Sequence, residues 1–188
     1  NTARFAADLF VDGESYPYCP RTNLKRVLAS LRESGHVFNV GMEPEHFLVT
    51  RNEDGSIAPW DPDHVDNLAK PCYDFRSMAP AMAYLQELTS SLNQLDWGVY
   101  QTDHEDGNGQ YEINFDYQDA LTTADRITFF KMATSQVAKK YGAIATHMAK
   151  PFDDRTGSGL HIHFHLADAE SGKCLFDDES DSRGLGCS

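Results

Sequence analysis

The chain has 188 residues, which is enough for one ordinary domain with a hydrophobic core. Its residues are 40% hydrophobic and 24% charged, a composition that excludes wholesale disorder. A formal net charge of −13 argues against binding to nucleic acid or to an anionic membrane surface, so we expect neither partner.

Hydrophobic periodicity predicts strands and helices that alternate along the chain. In chain order, the predicted elements are a strand at 5–11, a helix at 20–34, a strand at 37–50, a surface loop at 56–73, a helix at 78–95, strands at 97–103 and 111–115, a helix at 118–141, and strands at 143–148 and 160–166. The repeated strand–helix–strand signals of a parallel sheet are missing. We therefore predict an α+β fold in which an antiparallel sheet is backed by helices.

Two glutamates separated by a proline, Glu43 and Glu45, lie within the predicted strand at 37–50. Alternate side chains of a strand share a face, so the two carboxylates should point the same way, about 6.5 Å apart. That separation suits two neighbouring ions, or one ion and one reacting group. Because Pro44 cannot donate to a sheet ladder, we expect an edge, a bulge or an end of strand pairing there.

Two later segments carry further candidate metal ligands. Glu105 and Glu112 lie on either side of a glycine-rich turn, and His161, His163 and His165 alternate along the last predicted strand. The alternative interpretation is an acidic, solvated surface and a polar strand face. Distant carboxylates combined with alternating histidines are typical of a divalent-ion site, and a majority of glutamates favours Mg²⁺ or Mn²⁺ over zinc.

Spacing alone does not identify a substrate. The sequence has neither a Gly-x4-Gly-Lys-Ser/Thr loop nor a Gly-x-Gly-x-x-Gly turn that opens a helix. A carboxylate-pair hydrolase such as a glycosidase stays open as an alternative, because the expected separation of Glu43 and Glu45 is near the range that such enzymes use. That alternative needs no metal and gives the histidines no role.

At these segments the sequence resembles the glutamine synthetase superfamily, over nearly the whole chain. The matching motifs are Gly41-Met42-Glu43-Pro44-Glu45, His104-Glu105 through Gly109-Gln110-Tyr111-Glu112, Lys150-Pro151 with Gly157 to His163, and the flanking Tyr18-Cys19-Pro20-Arg21 and Arg183-Gly184-Leu185-Gly186. The glycine-rich segment that begins at His104 is most similar to the type III (glnT-like) branch, which includes γ-glutamylmethylamide synthetases.

The resemblance implies a role for each matching residue. Glu45, Glu105 and Glu112 would hold the tighter of two ions, and Glu43 with His161 would hold the second, completed by a glutamate beyond Ser188. The remaining matches are Gly157, whose backbone would help to hold glutamate, His163 near the nucleotide phosphates, and Tyr117 and His165 around the adenosine. The residues that carry out catalysis itself are expected outside this chain.

The resemblance also implies a fold and a domain arrangement. Residues 1–20 would be the end of a small N-terminal β-grasp-type domain, and residues 21–188 the leading part of a catalytic domain with a curved antiparallel sheet, incomplete at its C-terminus. We therefore expect a piece of a longer protein. In the intact protein an acidic loop from a neighbouring subunit would complete each site, which implies a homo-oligomer of the dodecameric double-ring type.

The implied reaction joins glutamate to ammonia or a small amine. ATP phosphorylates the γ-carboxyl group, and the amine then displaces phosphate to give a γ-glutamyl amide, with two or more Mg²⁺ or Mn²⁺ ions in each active site. One alternative is a γ-glutamylmethylamide or other γ-glutamyl-amine synthetase, because Thr156 and Ala149 depart from the residues of ordinary glutamine synthetases. Another alternative is a non-catalytic structural relative that retains the fold and the ligands.

Cysteine spacing and hydropathy indicate where the protein is located. The four cysteines show no short paired spacing, which makes a zinc cluster or a disulfide framework improbable. The start of the chain lacks a basic-then-apolar signal pattern, and no segment is long and apolar enough to cross a bilayer. We therefore expect a cytoplasmic protein that does not interact with membranes.

Overall fold

The computed structural model describes residues 3–177. The helices are α1 (Pro20–Glu33), α2 (Phe75–Met78), α3 (Met82–Asn93) and α4 (Ala120–Lys140), with a 3₁₀ turn at Ala79–Ala81. The strands are β1 (Phe10–Val11), β2 (Glu14–Ser15), β3 (His36–Arg51), β4 (Ile57–Pro59), β5 (Val99–His104), β6 (Gln110–Phe115), β7 (Gln118–Asp119), β8 (Ile144–Thr146) and β9 (Leu160–Asp168). The predicted motif at Arg183–Gly186 lies outside the described residues.

Most predicted elements are confirmed, and three need correction. The strand predicted at 5–11 is wrong except for its last two residues, which form β1. The segment at 56–73 is not only a surface loop, because Ile57–Pro59 pairs with β3 as β4. The helix predicted at 78–95 begins only at Met82, because Ala79–Ala81 forms a 3₁₀ turn. Pro80 in that turn cannot donate the hydrogen bond that would continue α2.

The long strand β3 organises the sheet of the described chain. The strand order is β4-β3-β6-β5, and β7, β8 and β9 also pair with β3. The pairs of β3 with β4, β6, β7 and β8, and of β5 with β6, are antiparallel. The α+β fold class with an antiparallel sheet is therefore confirmed.

The chain divides into two compact units. One consists of residues up to Gly41, Tyr117–Arg126 and residues from His163 onward, and the other of Met42–Asp116 and Ile127–Ile162. The second unit holds the hydrophobic core, in which α3 and α4 pack on one face of the sheet through Leu48, Tyr84, Leu85, Leu88, Leu92, Tyr111, Ile113, Phe115, Phe130 and Val137.

Alternation along β6 gives its two faces different roles. Tyr111, Ile113 and Phe115 point into the core, whereas Gln110, Glu112 and Asn114 are buried on the opposite face. A polar row that is buried on the far side of a core strand must be hydrogen-bonded or bind a ligand, because an unpaired buried polar group is costly. The fold therefore places a buried acidic surface opposite the helices.

In the first unit, one side-chain hydrogen bond connects α4 to β3. The Thr123 hydroxyl, 1% exposed, donates to the Val40 carbonyl at 2.8 Å. Thr123→Val keeps the side-chain shape and leaves that carbonyl without this donor, so we expect a loss of about 1–2 kcal/mol in the free energy of unfolding. Chemical denaturation measures this loss. Thr89→Val, at a half-buried position in α3, is the control and should change the free energy by less than about 0.5 kcal/mol.

Not one helix within residues 3–177 combines the length and the apolar character needed to cross a membrane.

Candidate metal centre

Three side chains from three strands converge on the face of the sheet opposite the core. Glu43 of β3, Glu112 of β6 and His161 of β9 each offer one ligand atom, and these atoms all lie within 4.8 Å of one another. His161 Nδ1 is 3.4 Å from Glu43 Oε2. Glu112 is buried, whereas the His161 side chain is 65% exposed, so the group opens to solvent on one side. Two carboxylates and an imidazole at this spacing can hold a divalent cation.

Strand register explains why residues far apart in sequence meet here. Glu45 of β3 is the direct partner of Glu112, and Asp103 of β5 is its partner on the other side. Directly opposed residues of antiparallel strands project from the same face, so the three carboxyl groups form a row across the sheet. Glu43 lies two residues before Glu45 on the same strand and shares that face, as predicted.

The buried amide of Gln110 connects the glycine turn to Glu45. Its Nε2 donates to Glu45 Oε2 at 2.7 Å and to the Gly157 carbonyl at 3.0 Å, while its Oε1 accepts from the Gly107 amide at 3.0 Å. One side chain therefore fixes the orientation of a carboxylate, the turn and the segment at Gly157. The sequence motif contains Gln110, but its spacing predicts no role for it.

Crowding of carboxylates gives the site an unfavourable electrostatic energy when no cation is bound. Burial, and then the nearby charges of Glu45 and Glu112, raise the pKa of Glu105 to about 7. Burial also raises the pKa of Glu112, with Glu43 and Glu45 adding to the effect. Like charges that are held together in a partly buried place are stabilised by a bound cation. This donor set therefore fits a divalent ion.

The negative potential extends to the neighbouring turn. Burial, followed by the charges of Glu105 and Asp106, raises the pKa of the Cys72 thiol. The pKa of Tyr73 is raised by Cys72 and then by Glu105, although the Tyr73 ring is 69% exposed. A positively charged molecule that approaches this side of the sheet would be attracted.

Gly157 can only be a glycine, because of a close backbone approach. A Cβ atom at this position would lie 2.6 Å from the Ala149 carbonyl oxygen, closer than real Cβ contacts occur. The neighbouring amide of Ser158 donates to the same oxygen at 2.9 Å. The structure thus places Gly157 in the same unit as the carboxylates, with its carbonyl directed at Gln110.

The three predicted nucleotide-binding residues belong to the other compact unit, where two of them meet. The rings of Tyr117 and His165 lie edge to face, with centroids 5.1 Å apart. Nε2 of His165 is 3.0 Å from Nδ2 of Asn39. A Cβ atom on Gly41 would contact Cβ of Tyr117 at 3.5 Å and of His163 at 4.0 Å, so these residues lie together around the start of β3.

Asp66 is the residue of this region that sequence reasoning missed. The sequence predicts a surface loop at this position, yet the Asp66 carboxylate is 2% exposed and accepts a hydrogen bond from the Gly109 amide of the glycine turn. The segment has no hydrophobic periodicity, and a buried aspartate in an irregular segment leaves no pattern along the chain.

Comparisons with known proteins identify the family of the chain. The family described as "Glutamine synthetase, catalytic domain" matches residues 17–187. The chain is 43% identical over 186 residues to a glutamate–methylamine ligase of Methyloversatilis universalis, covering 99% of this chain and 41% of that protein. It is 38% identical over 185 residues to a glutamine synthetase of Rhizobium leguminosarum bv. phaseoli, covering 98% of this chain and 41% of that one.

The chain is also similar to a solved structure. The structure titled as a GmaS/ADP complex has a TM-score of 0.86 and 42% identity, and the match covers 95% of this chain and 40% of that one. The chain therefore spans about two fifths of the length of the relatives that it matches.

Proposed function

Because the chain belongs to the glutamine synthetase family and is 43% identical to a glutamate–methylamine ligase, we propose that it is part of an ATP-dependent ligase that forms a γ-glutamyl amide. The observation that carries the proposal is the group of Glu43, Glu112 and His161, whose ligand atoms lie within 4.8 Å of one another on the polar face of the sheet. A non-catalytic relative would not need to retain such a group. A carboxylate-pair hydrolase would not need the histidine.

We propose that the acidic row holds two divalent ions, Mg²⁺ or Mn²⁺. Glu45, Glu105 and Glu112 would bind the tighter ion, and Glu43 with His161 would bind the second. The buried Gln110 amide supports this assignment, because its bond to Oε2 fixes the orientation of the Glu45 carboxylate. Divalent cations at such a site neutralise the charge that develops when one anion attacks another, as phosphoryl transfer requires.

The proposed reaction has two steps. In the first, a γ-carboxylate oxygen of glutamate attacks the terminal phosphorus of ATP, the bond to the bridging oxygen breaks, and ADP leaves. In the second, the amine attacks the carbonyl carbon of the acyl phosphate, phosphate leaves, and the amine loses a proton. The first step is needed because a free carboxylate is a poor electrophile.

Residues of the chain would position the two substrates. The Gly157 segment would hold glutamate through its backbone. His163 would lie near the nucleotide phosphates, and Tyr117 with His165 near the adenosine. The edge-to-face contact of Tyr117 with His165 supports a shared role for this pair. The groups that complete the chemistry are proposed to lie in the rest of the intact protein.

We propose methylamine as the preferred amine, on the strength of the 43% identity to a glutamate–methylamine ligase. The test is phosphate release by the intact protein with glutamate, ATP and a panel of ammonia, methylamine and ethylamine. We expect kcat/KM for methylamine to exceed that for ammonia by at least about tenfold, a difference of about 1.4 kcal/mol in transition-state binding. Equal or better turnover of ammonia would assign the chain to ordinary glutamine synthesis.

The same assay separates the remaining alternatives. ADP release that requires both glutamate and an amine excludes the non-catalytic structural protein. Loss of activity with EDTA, restored by Mg²⁺ or Mn²⁺, excludes a metal-independent hydrolase.

Four further assignments are proposals. They are a domain boundary near residue 20, with 1–20 closing a small N-terminal domain and 21–188 beginning the catalytic domain; a homo-oligomer of the double-ring type; a cytoplasmic location; and no nucleic-acid or membrane partner. Gel filtration and light scattering of the intact protein test the assembly.

A further inference from the structure

One buried carboxylate of the site region lies outside the acidic row. The Asp66 side chain is 2% exposed, and its Oδ2 accepts from His104 Nε2 at 3.0 Å and from the Gly109 amide at 2.7 Å. Its Oδ1 accepts from Asn108 Nδ2 at 3.0 Å. Three donors on one buried carboxylate are an extensive set for a residue in an irregular loop.

All three donors belong to the segment that carries Glu105 and Glu112. His104 is the last residue of β5 and directly precedes Glu105, whereas Gly109 directly precedes Gln110 at the start of β6. Asp66 therefore contacts both ends of the glycine turn. A displacement of either end would shift Glu105 or the Gln110 amide that orients Glu45.

The buried imidazole of His104 transmits the contact to Glu105. Its side chain is 0% exposed, and its two nitrogens both face oxygen atoms: Asp66 Oδ2, and the Glu105 carbonyl, which is 2.7 Å from Nδ1. Each ring nitrogen of His104 therefore has an oxygen atom as its hydrogen-bond partner. The main-chain carbonyl of His104 also accepts from the Tyr73 amide at 2.9 Å. His104 is thus fixed from three directions, and Glu105 follows it in the chain.

Gly109 shows that the turn must keep its present shape. Its φ is +74°, in the left-handed region, and a Cβ atom there would lie 2.9 Å from the Leu48 carbonyl oxygen. The turn is therefore pressed against β3 on one side and held by Asp66 through the Gly109 amide. Hydrogen bonds from outside the ligand set commonly orient ligands in this way.

We propose that Asp66 is a positioning residue, which orients the glycine turn so that Glu105 and the Glu45–Gln110 pair are held ready for divalent cations. The proposal rests on the proposed function, because it takes the acidic row to be the metal site. A residue with a purely structural role would contribute to folding without changing the cation affinity of the folded protein.

The test is titration of Mn²⁺ alone into the metal-free Asp66→Asn variant. Calorimetry measures the Mn²⁺ affinity, and electron paramagnetic resonance records the spectrum of bound Mn²⁺. The carboxamide keeps the size of the side chain but replaces one acceptor oxygen with a donor and removes the charge opposite His104. We expect Mn²⁺ binding about tenfold weaker than in the wild type, within the range found when groups behind a metal ligand are changed. An altered Mn²⁺ spectrum is expected as well.

A matched control is Asp54→Asn. Asp54 also accepts two hydrogen bonds, from the amide and the hydroxyl of Ser56, in an exposed turn of the same compact unit. This variant should lose stability without a change in Mn²⁺ affinity. Equal weakening by Asp54→Asn, or wild-type affinity in folded Asp66→Asn, would overturn the positioning role.

Two further variants keep the test decisive. If Asp66→Asn does not fold, Asn108→Ala is the second variant: it removes the donor of Asp66 Oδ1, together with the bonds of Asn108 to the Asp66 and Leu68 carbonyls and from Arg155. We expect Mn²⁺ binding about threefold weaker, and wild-type affinity overturns the proposal. Glu105→Gln separates the two hypotheses. If it weakens Mn²⁺ binding while folded Asp66→Asn does not, only the positioning role fails. If Glu105→Gln leaves binding unchanged, Glu105 is not a metal ligand, and the proposed ligand set of the tighter ion fails.

Discussion

Glu45→Ala abolishes turnover by the proposed ligase and weakens Mn²⁺ binding, whereas His36→Ala changes neither. Glu45 is the strand partner of Glu112, accepts from Gln110 and contributes to the field that raises the pKa of Glu105. Its removal takes one carboxylate from the proposed tighter ion and leaves Gln110 without its charged acceptor. We expect kcat/KM to fall by at least about 10³-fold, roughly 4 kcal/mol of transition-state stabilisation.

Coupled phosphate release and Mn²⁺ calorimetry on both variants check this result. His36 is a suitable control because it is a half-buried histidine of the same strand, and its Nδ1 is 3.1 Å from the Ser34 hydroxyl. Circular dichroism establishes that both variants are folded. Similar losses in the two variants would show that the roles are wrongly assigned.

Glu105→Gln makes the metal-free protein more stable and removes most of its stabilisation by Mn²⁺. Burial and neighbouring carboxylates raise the pKa of Glu105 from 4.5 to about 7. Ionising Glu105 therefore costs stability that builds up as the pH rises from 4.5 to about 7, and the full cost is present at pH 8. Solvent screening reduces this cost, and we expect a gain of about 1–2 kcal/mol from the neutral amide at pH 8. Wild-type protein obtains a comparable gain by binding the cation.

Thermal denaturation at pH 8, with and without Mn²⁺, measures both effects. The control is Glu53→Gln, at an exposed position of the same compact unit, where the change should be within about 0.5 kcal/mol in either condition. A metal-free Glu105→Gln protein that is less stable than wild type would contradict the proposed electrostatic crowding. Unchanged stabilisation by Mn²⁺ would remove Glu105 from the ligand set.

Local patterns predicted the elements that carry the site. The alternation of β3 placed Glu43 and Glu45 on one face, and the glycine turn between two apolar runs predicted the hairpin of β5 and β6. Both predictions depend on neighbours within a few residues, where strand periodicity and turn chemistry act directly. The resemblance of the motifs predicted the glutamine synthetase family, and the match of the family over residues 17–187 confirms that prediction.

Contacts between distant segments could not be predicted in this way. The pairing that sets Glu112 beside Glu45, rather than one residue away, depends on the register of β3 against β6. The short strand β4 and the buried Asp66 lie in a segment without hydrophobic periodicity. Their structure depends on distant partners: β4 pairs with β3, and Asp66 accepts from the glycine turn. The prediction of a strand at 5–11 failed although the local pattern is present. The described pairing there is with the two-residue strand β2, so only Phe10 and Val11 form β1.

The sequence by itself determined the kinds of ligand atom, the faces of the strands that present them and the family to which the chain belongs. Only the tertiary structure decided that Glu43, Glu112 and His161 meet within 4.8 Å and that Asp66 holds both ends of the turn. The physical reason is that side-chain direction follows from local backbone geometry, whereas the distance between residues on different strands is set by pairing register and by packing of the whole sheet.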